Sequence, residues 1–200
     1  MFSIETLLAL IIAYLFGSLS SAIIVCRLMR LPDPRTQGSQ NPGATNVLRI
    51  GGKKAALLTL LGDVLKGVIP VLAAKWYGLA PIGLALVMFA AFIGHLYPIF
   101  FRFQGGKGVA TLLGCLLALS LPIAAAFGVT WLVLTLVFRY VSLSSIAASM
   151  LTPLYAWLIT QNSAYALVLA LMAVILVYRH RGNIAKLLAG HETKLGAKKQ

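Results

Sequence analysis

Long apolar runs separated by short polar turns make up most of this chain. The runs lie at Thr6–Cys26, Ala55–Ala74, Pro81–Phe101, Gly108–Phe138, Val141–Ile159 and Ala164–Tyr178. A helix needs about 20 residues to cross a hydrocarbon core of about 30 Å, so these runs predict membrane-spanning helices. Gly108–Phe138 is too long for one comfortable crossing and short for two. Ser120-Leu121-Pro122 sits at its middle, and a proline there favours a turn between two short helices. With that run divided, the pattern predicts an all-α integral membrane protein of seven transmembrane helices, forming a single domain over residues 1–200. The first run lacks a preceding basic segment and is followed directly by Arg27 and Arg30, which predicts a span and not a cleaved leader.

Charge orients the spans. With seven crossings, every Lys and Arg except Lys66 and Lys75 falls on one side, and Lys66 lies inside a span. Leaving Gly108–Phe138 undivided would move Arg139 and the basic tail to the opposite side. A Lys/Arg excess marks the cytoplasm, so the N-terminus is expected outside and the C-terminus in the cytoplasm. The composition agrees: the chain is 60% hydrophobic, only 10% charged, and has a mean hydropathy of +0.93. The net charge of +13 would suit nucleic acid, but basic residues scattered between apolar runs fit anionic lipid better. No nucleic-acid partner is expected. Cys26 and Cys115 are too isolated to predict a disulfide or a metal cluster.

This topology collects the polar segments on the cytoplasmic face. The stretch "GSQNPGATN" presents Ser39, Asn41, Thr45 and Asn46 around Gly38 and Gly43. Successive N–H groups in such turns form anion-binding nests, although an ordinary turn capping the next helix has the same composition. In "QGGKGVAT", Gly105 and Gly106 precede Lys107 directly before a helix, offering one anion N–H groups, the positive helix end and an ammonium. Arg49 suits bidentate phosphate binding and equally suits an interfacial anchor. His180 and Asn183 share a helix face if the last helix continues past Tyr178. Ser142, Ser144 and Ser145 are candidate caps for the following helix, one of them a candidate site hydroxyl. Asp63 and Lys66, three residues apart within a span, are read as a mutual pair, and His95 as an interior histidine.

Several chemistries are missing from the sequence. It holds no G-x-S-x-G elbow, no H-E-x-x-H and no paired carboxylates poised as acid and base. Asp33 and Glu192 are the only acids on the inner segments, so no metal site and no cofactor is expected. Such a face receives anions, and a substrate acted on there must arrive already activated.

The segments "GSQNPGATNVLR", "GHLYPIFFRFQGGKGVAT", "YVSLSS" and "RHRGNIAKLL", with "FGSLSSAIIV" and "GDVLKG" before them, resemble the bacterial acyl-phosphate:glycerol-3-phosphate acyltransferases, the PlsY family. The likeness runs in order over nearly the whole chain. Gln40 stands where the family commonly has glycine. The resemblance implies a seven-helix fold in the bacterial cytoplasmic (inner) membrane, with the active site on the cytoplasmic side. It implies transfer of a fatty acyl group from acyl phosphate to the 1-hydroxyl of glycerol 3-phosphate. The products are lysophosphatidic acid and phosphate, without an acyl-enzyme, and a soluble acyl-phosphate synthase is the implied supplier. Carried over by motif, Ser39, Lys107 and His180 are the implied catalytic residues. Asn41, Gly43, Thr45, Asn46, Arg49, Gly105, Gly106, Lys107, Ser145, His180 and Asn183 are the implied substrate-binding set. Either a substrate phosphate or His180 takes the hydroxyl proton. An anion transporter and a lipid-surface scaffold are the rival classes, but transporters tend to bind at the midplane between inverted repeats, and none is evident.

Overall fold

The computed structural model describes residues 3–196; Lys198 and Lys199, counted above among the cytoplasmic cations, lie outside them. Its elements are α1 (Ile4–Gly17), α2 (Ser21–Leu28), α3 (Ala44–Trp76), α4 (Pro81–Leu96), a 3₁₀ turn (Ile99–Phe101), α5 (Val109–Leu119), α6 (Leu121–Phe138), α7 (Val141–Thr160), α8 (Ser163–Arg179) and α9 (Arg181–Leu188). Each apolar run is helical, and no strand occurs among the described residues. The predicted break in the long run is present. Ser120 is extended (φ −161°, ψ 117°), and Pro122 occupies the first turn of α6, where its missing N–H has no intrahelical role.

The chain is a multi-pass helical protein. Four helical segments are long and apolar enough to cross a bilayer: α3, α4 with its 3₁₀ turn, α6 and α7. The bent pairs α1–α2 (40°) and α8–α9 (58°) bring the number to six. The remaining predicted crossing is α5, whose 11 residues reach about 16 Å, roughly half the hydrocarbon core.

The chain divides into two compact units, Met1–Leu119 and Ser120–Gln200. In the first, α3 packs on α5, α1 on α4, and both α2 and α4 on α3. The α3 and α5 backbones touch where side chains are absent: a Cβ on Gly67 would lie 2.9 Å from the Cys115 nitrogen. Close packing of this kind holds helices together in lipid, where no hydrophobic drive acts between them. Buried Val71, Met88, Phe92, Leu112 and Leu116 fill the interior.

Two lysines repair backbone that the helix breaks leave open. The gap between α1 and α2 strands the Leu19 carbonyl, and buried Lys66 Nζ donates to it at 2.9 Å. Lys66 also pairs with Asp63 on its own helix at 2.9 Å, as the sequence spacing predicts. Lys75 Nζ donates to the Ala118 and Leu119 carbonyls at 3.1 and 2.9 Å, closing the C-terminal end of α5. Those end carbonyls have no intrahelical donor and carry the negative pole of the helix.

In the second unit α7 is central, packed by α6 and α8, with α9 against α7 and α8. Its hydroxyls turn inward onto their own helix: Ser144, Ser145, Ser149 and Thr152 each donate to the carbonyl four residues earlier. This corrects the capping expectation. Ser142, Ser144 and Ser145 lie inside the helix, past its cap, and Tyr140 holds the N-cap position without a side-chain hydrogen bond. A second correction concerns the last span. It does not continue straight past Tyr178 but bends at His180, whose carbonyl accepts from the Asn183 and Ile184 N–H groups and so starts α9.

Candidate functional site

In the first unit, residues 29–43 form a polar loop leading into α3, built around one buried side chain. Asn46 is 1% exposed. Its amide nitrogen donates to the Pro34 and Gln37 carbonyls at 2.8 and 3.0 Å, and its oxygen accepts the Ser39 N–H at 2.8 Å. Asn46 therefore shapes the turn, while Ser39, Thr45 and Arg49 are exposed and Asn41 half-buried. Asp33 and Arg35 close the outer side with a 2.6 Å ion pair. The hydrogen bond from Arg35 holds the Asp33 carboxyl below the usual carboxylate range. That contribution is complete at neutral pH and is lost only as pH falls through the lowered value.

Gly38 and Gln40 both carry positive φ, +61° and +57°. At Gly38 a side chain would also collide with Asn46 Oδ1, the acceptor for Ser39. Gly38→Ala is expected to lower activity at least tenfold by unseating that turn. Gln40→Gly is expected to stay within about twofold, because relief of the left-handed strain offsets the larger entropy of an unfolded glycine. Initial rates of the two variants check the contrast; equal losses would refute it. The positive φ at Gln40 is a backbone conformation that favours glycine, the residue that the resemblance noted above leads one to expect there.

α3 delivers Thr45, Asn46 and Arg49 on a short helical arm. Gly52 (φ 77°, ψ −171°) kinks the helix after that arm, in a backbone region essentially confined to glycine.

The second turn of this unit runs from Gln104 to Gly108, just before α5. Gly105 and Gly106 are buried and Lys107 is half-buried. Gly108 (φ +92°) redirects the chain into α5. The two turns meet: a Cβ on Gly106 would lie 3.0 Å from the Pro42 carbonyl oxygen, and Arg35 Nη1 donates to the Phe101 carbonyl at 3.4 Å. Arg102 and Phe103 are consecutive left-handed residues (φ 57° and 58°), a strained corner directly before the turn.

The second unit arranges Ser145, His180 and Asn183. Ser145 is buried, donates to the Val141 carbonyl at 2.8 Å and accepts from Trp131 Nε1 at 3.0 Å. His180 is also buried, with Nδ1 2.9 Å from the Leu176 carbonyl. A carbonyl only accepts, so Nδ1 bears the proton and, in the neutral ring, Nε2 is the basic nitrogen. Asn183 Nδ2 donates to Glu192 Oε1 at 2.7 Å, and Ser142 Oγ donates to the same oxygen at 2.6 Å. Glu192 thus ties the chain after α9 to α7 and orients Asn183.

Sequence reasoning put Glu192 only in the tail and did not single out Trp131 or Arg35. A lone acid nine residues after Asn183 was the available signal for Glu192. Glu192→Ala is expected to cost about 2 kcal/mol, since charge-assisted hydrogen bonds contribute roughly 1.5–3 kcal/mol. Glu192→Gln should lose less, because a neutral carbonyl still accepts. Thermal unfolding in detergent tests the order; equal Tm values for wild type and Glu192→Ala would refute the tie.

A sequence profile of the family described as glycerol-3-phosphate acyltransferase matches residues 7–190. The chain is 54% identical to the glycerol-3-phosphate acyltransferase of Methylococcus capsulatus over 187 residues, covering 94% of each chain. It is 59% identical to that of Hydrogenovibrio crunogenus over 181 residues, covering 90% of this chain and 87% of the other. Among solved structures, it matches PlsY (YgiH), an integral membrane glycerol 3-phosphate acyltransferase, in its glycerol 3-phosphate form. The TM-score is 0.91 and the identity 40%, with 96% of each chain covered. The lysophosphatidic acid form of that protein gives a TM-score of 0.88 at 39% identity, again covering 96% of each chain.

Proposed function

Because the chain belongs to the glycerol-3-phosphate acyltransferase family, we propose that it takes its acyl group from acyl phosphate and passes it to the 1-hydroxyl of glycerol 3-phosphate. It is a glycerol-3-phosphate acyltransferase and a multi-pass membrane protein. Glycerol 3-phosphate as acceptor and lysophosphatidic acid as product are supported by the two forms in which the solved relative is described. The family match runs through both compact units, which supports treating residues 1–200 as one acyltransferase domain.

The observation that carries the donor assignment is the meeting of two glycine-framed turns, at Pro42 and Gly106, beside Lys107. In this reading Ser39, Asn41, Gly43 and Thr45, with Gly105, Gly106 and Lys107, hold the acyl phosphate, Asn46 keeping that first turn in shape. On the family resemblance, Arg49 of the first unit and Ser145, His180 and Asn183 of the second are assigned to positioning glycerol 3-phosphate. The glycerol oxygen attacks the acyl carbonyl carbon, the bond from that carbon to the phosphate oxygen breaks, and phosphate leaves. The hydroxyl proton passes to His180 Nε2 or to a substrate phosphate oxygen. Orienting both substrates lowers the barrier, by about 7–11 kcal/mol in the best intramolecular cases, and N–H and ammonium donors stabilise the oxyanion.

All four carboxylates already have structural work, which supports a donor that arrives activated. Asp33 pairs with Arg35, Asp63 with Lys66, Glu192 binds Ser142 and Asn183, and Glu5 lies in the first turn of α1. Proton acceptance therefore rests with histidine or substrate.

For topology, the reading keeps seven crossings with the N-terminus outside and the C-terminus and site cytoplasmic, in the bacterial inner membrane. The buried Gly105–Gly108 backbone lengthens the short α5 crossing, which is tolerated because it is enclosed by protein. A soluble acyl-phosphate synthase would supply the donor. The test is purified protein in detergent with acyl phosphate and glycerol 3-phosphate, assayed for lysophosphatidic acid. Acyl transfer needs no sealed compartment, whereas transport does, so absence of product would overturn the donor assignment. A His180→Gln variant retaining most activity would leave the substrate phosphate as the base.

A further inference from the structure

The buried charges of the first unit have a use beyond repairing the helix break. Asp63, Lys66 and His95 are 3%, 3% and 6% exposed. Asp63 Oδ1 receives Lys66 Nζ at 2.9 Å and faces His95 Nδ1 at 3.6 Å. That second separation is too long for a hydrogen bond and acts through charge and dipole. The opposite edge of the imidazole lies against Gly106: a Cβ there would be 2.8 Å from His95 Cε1 and nearer still to Nε2. The Gly106 N–H also donates to the His95 carbonyl at 3.2 Å. One histidine therefore touches the turn with both its backbone and its ring, while its far nitrogen faces a carboxylate anchored in α3.

We propose that His95 is a positioning residue, oriented by the Asp63–Lys66 pair, that sets the Gly105–Gly106–Lys107 backbone in register for its anion. The inference rests on the reading of that turn as a phosphate site and names what aims it. Gly106 is glycine because the ring edge and the Pro42 carbonyl occupy its Cβ space. Lys66, bonded to Leu19, holds Asp63 at a fixed height in the helix packing. A histidine serving only as core filling would leave substrate affinity untouched when replaced in a folded protein.

The test compares His95→Ala, Gly106→Ala, their double variant and Lys107→Ala, measuring KM for each substrate, kcat and Tm. His95→Ala should raise the KM of the same substrate that Lys107→Ala affects, by about tenfold, since misplacing a binding group by about 1 Å can cost up to 100-fold. Gly106→Ala should be severe in the wild type and several-fold milder beside His95→Ala, because the ring it strikes is gone. If His95→Ala does not fold, His95→Asn keeps a nitrogen towards Asp63 without the ring edge and should show the same KM rise. An unaffected Lys107→Ala would overturn the phosphate reading itself. An impaired Lys107→Ala with unchanged KM values in the folded His95 variant, or a Gly106→Ala cost equal in both backgrounds, would overturn the positioning role alone.

Discussion

Replacing Lys107 by alanine is expected to lower kcat/KM for acyl transfer by about 10²–10³, with the protein still folded. Removing one preorganised donor from a developing oxyanion typically costs about 2.7–4 kcal/mol, and an ammonium on a phosphate acts in the same way. Lys107 is half-buried, framed by Gly105, Gly106 and Gly108, and its turn abuts the first-loop turn at Pro42. Lys107 precedes α5, which begins at Val109, so the loss is expected in rate more than in Tm. Initial rates of lysophosphatidic acid formation, with Tm measured on the same preparation, decide the matter. Activity within tenfold of wild type would remove Lys107 from the machinery. Arg49→Ala should show a comparable loss, since Arg49 is exposed on the arm that Gly52 orients.

The largest effect on stability is expected from Lys66→Met. It leaves the Asp63 carboxylate buried without its 2.9 Å partner and the Leu19 carbonyl without its donor. Breaking a buried pair from one side costs about 3–5 kcal/mol, mostly the penalty of the abandoned charge. The double variant Lys66→Met/Asp63→Asn should recover part of the loss, because the charge goes while the open carbonyl at the α1–α2 break remains. Thermal unfolding in detergent separates these contributions. A double variant no more stable than Lys66→Met would mean that the Leu19 carbonyl, and not the charge, dominates.

The chemistry of these two lysines was unequally readable. Lys107 stands between glycines at the start of a helix, a local pattern, and the sequence alone marks it. Asp63 and Lys66 are three residues apart, so their pairing was also local and is present at 2.9 Å. That Lys66 donates to Leu19, 47 residues away, depends on where α1 breaks. No periodicity in α3 carries that information. The serines of α7 show the opposite case. Their residue type suggested caps, but the helix begins at Val141, so Ser144 and Ser145 bond back along their own helix.

The sequence by itself determined where the helices lie, because a run of apolar residues must satisfy its own backbone in lipid and only a helix does so. It also determined the break at Ser120 and the set of cationic and glycine-rich turns, since proline, glycine and charge act within a few residues of themselves. The tertiary structure alone decided what each buried polar group bonds to. Asn46, which the resemblance places in the substrate-binding set, bonds to Pro34, Gln37 and Ser39 and so shapes the turn. Glu192, which the sequence showed only as an acid in the tail, accepts from Ser142 across 50 residues and from Asn183. His95, read as an interior histidine, is buried as expected, and the packing sets Gly106 against its ring. Hydropathy and turn propensity are local properties and can be read along the chain. The partner of a buried donor or acceptor is whichever group the packing brings to it, and that is set only when distant segments meet.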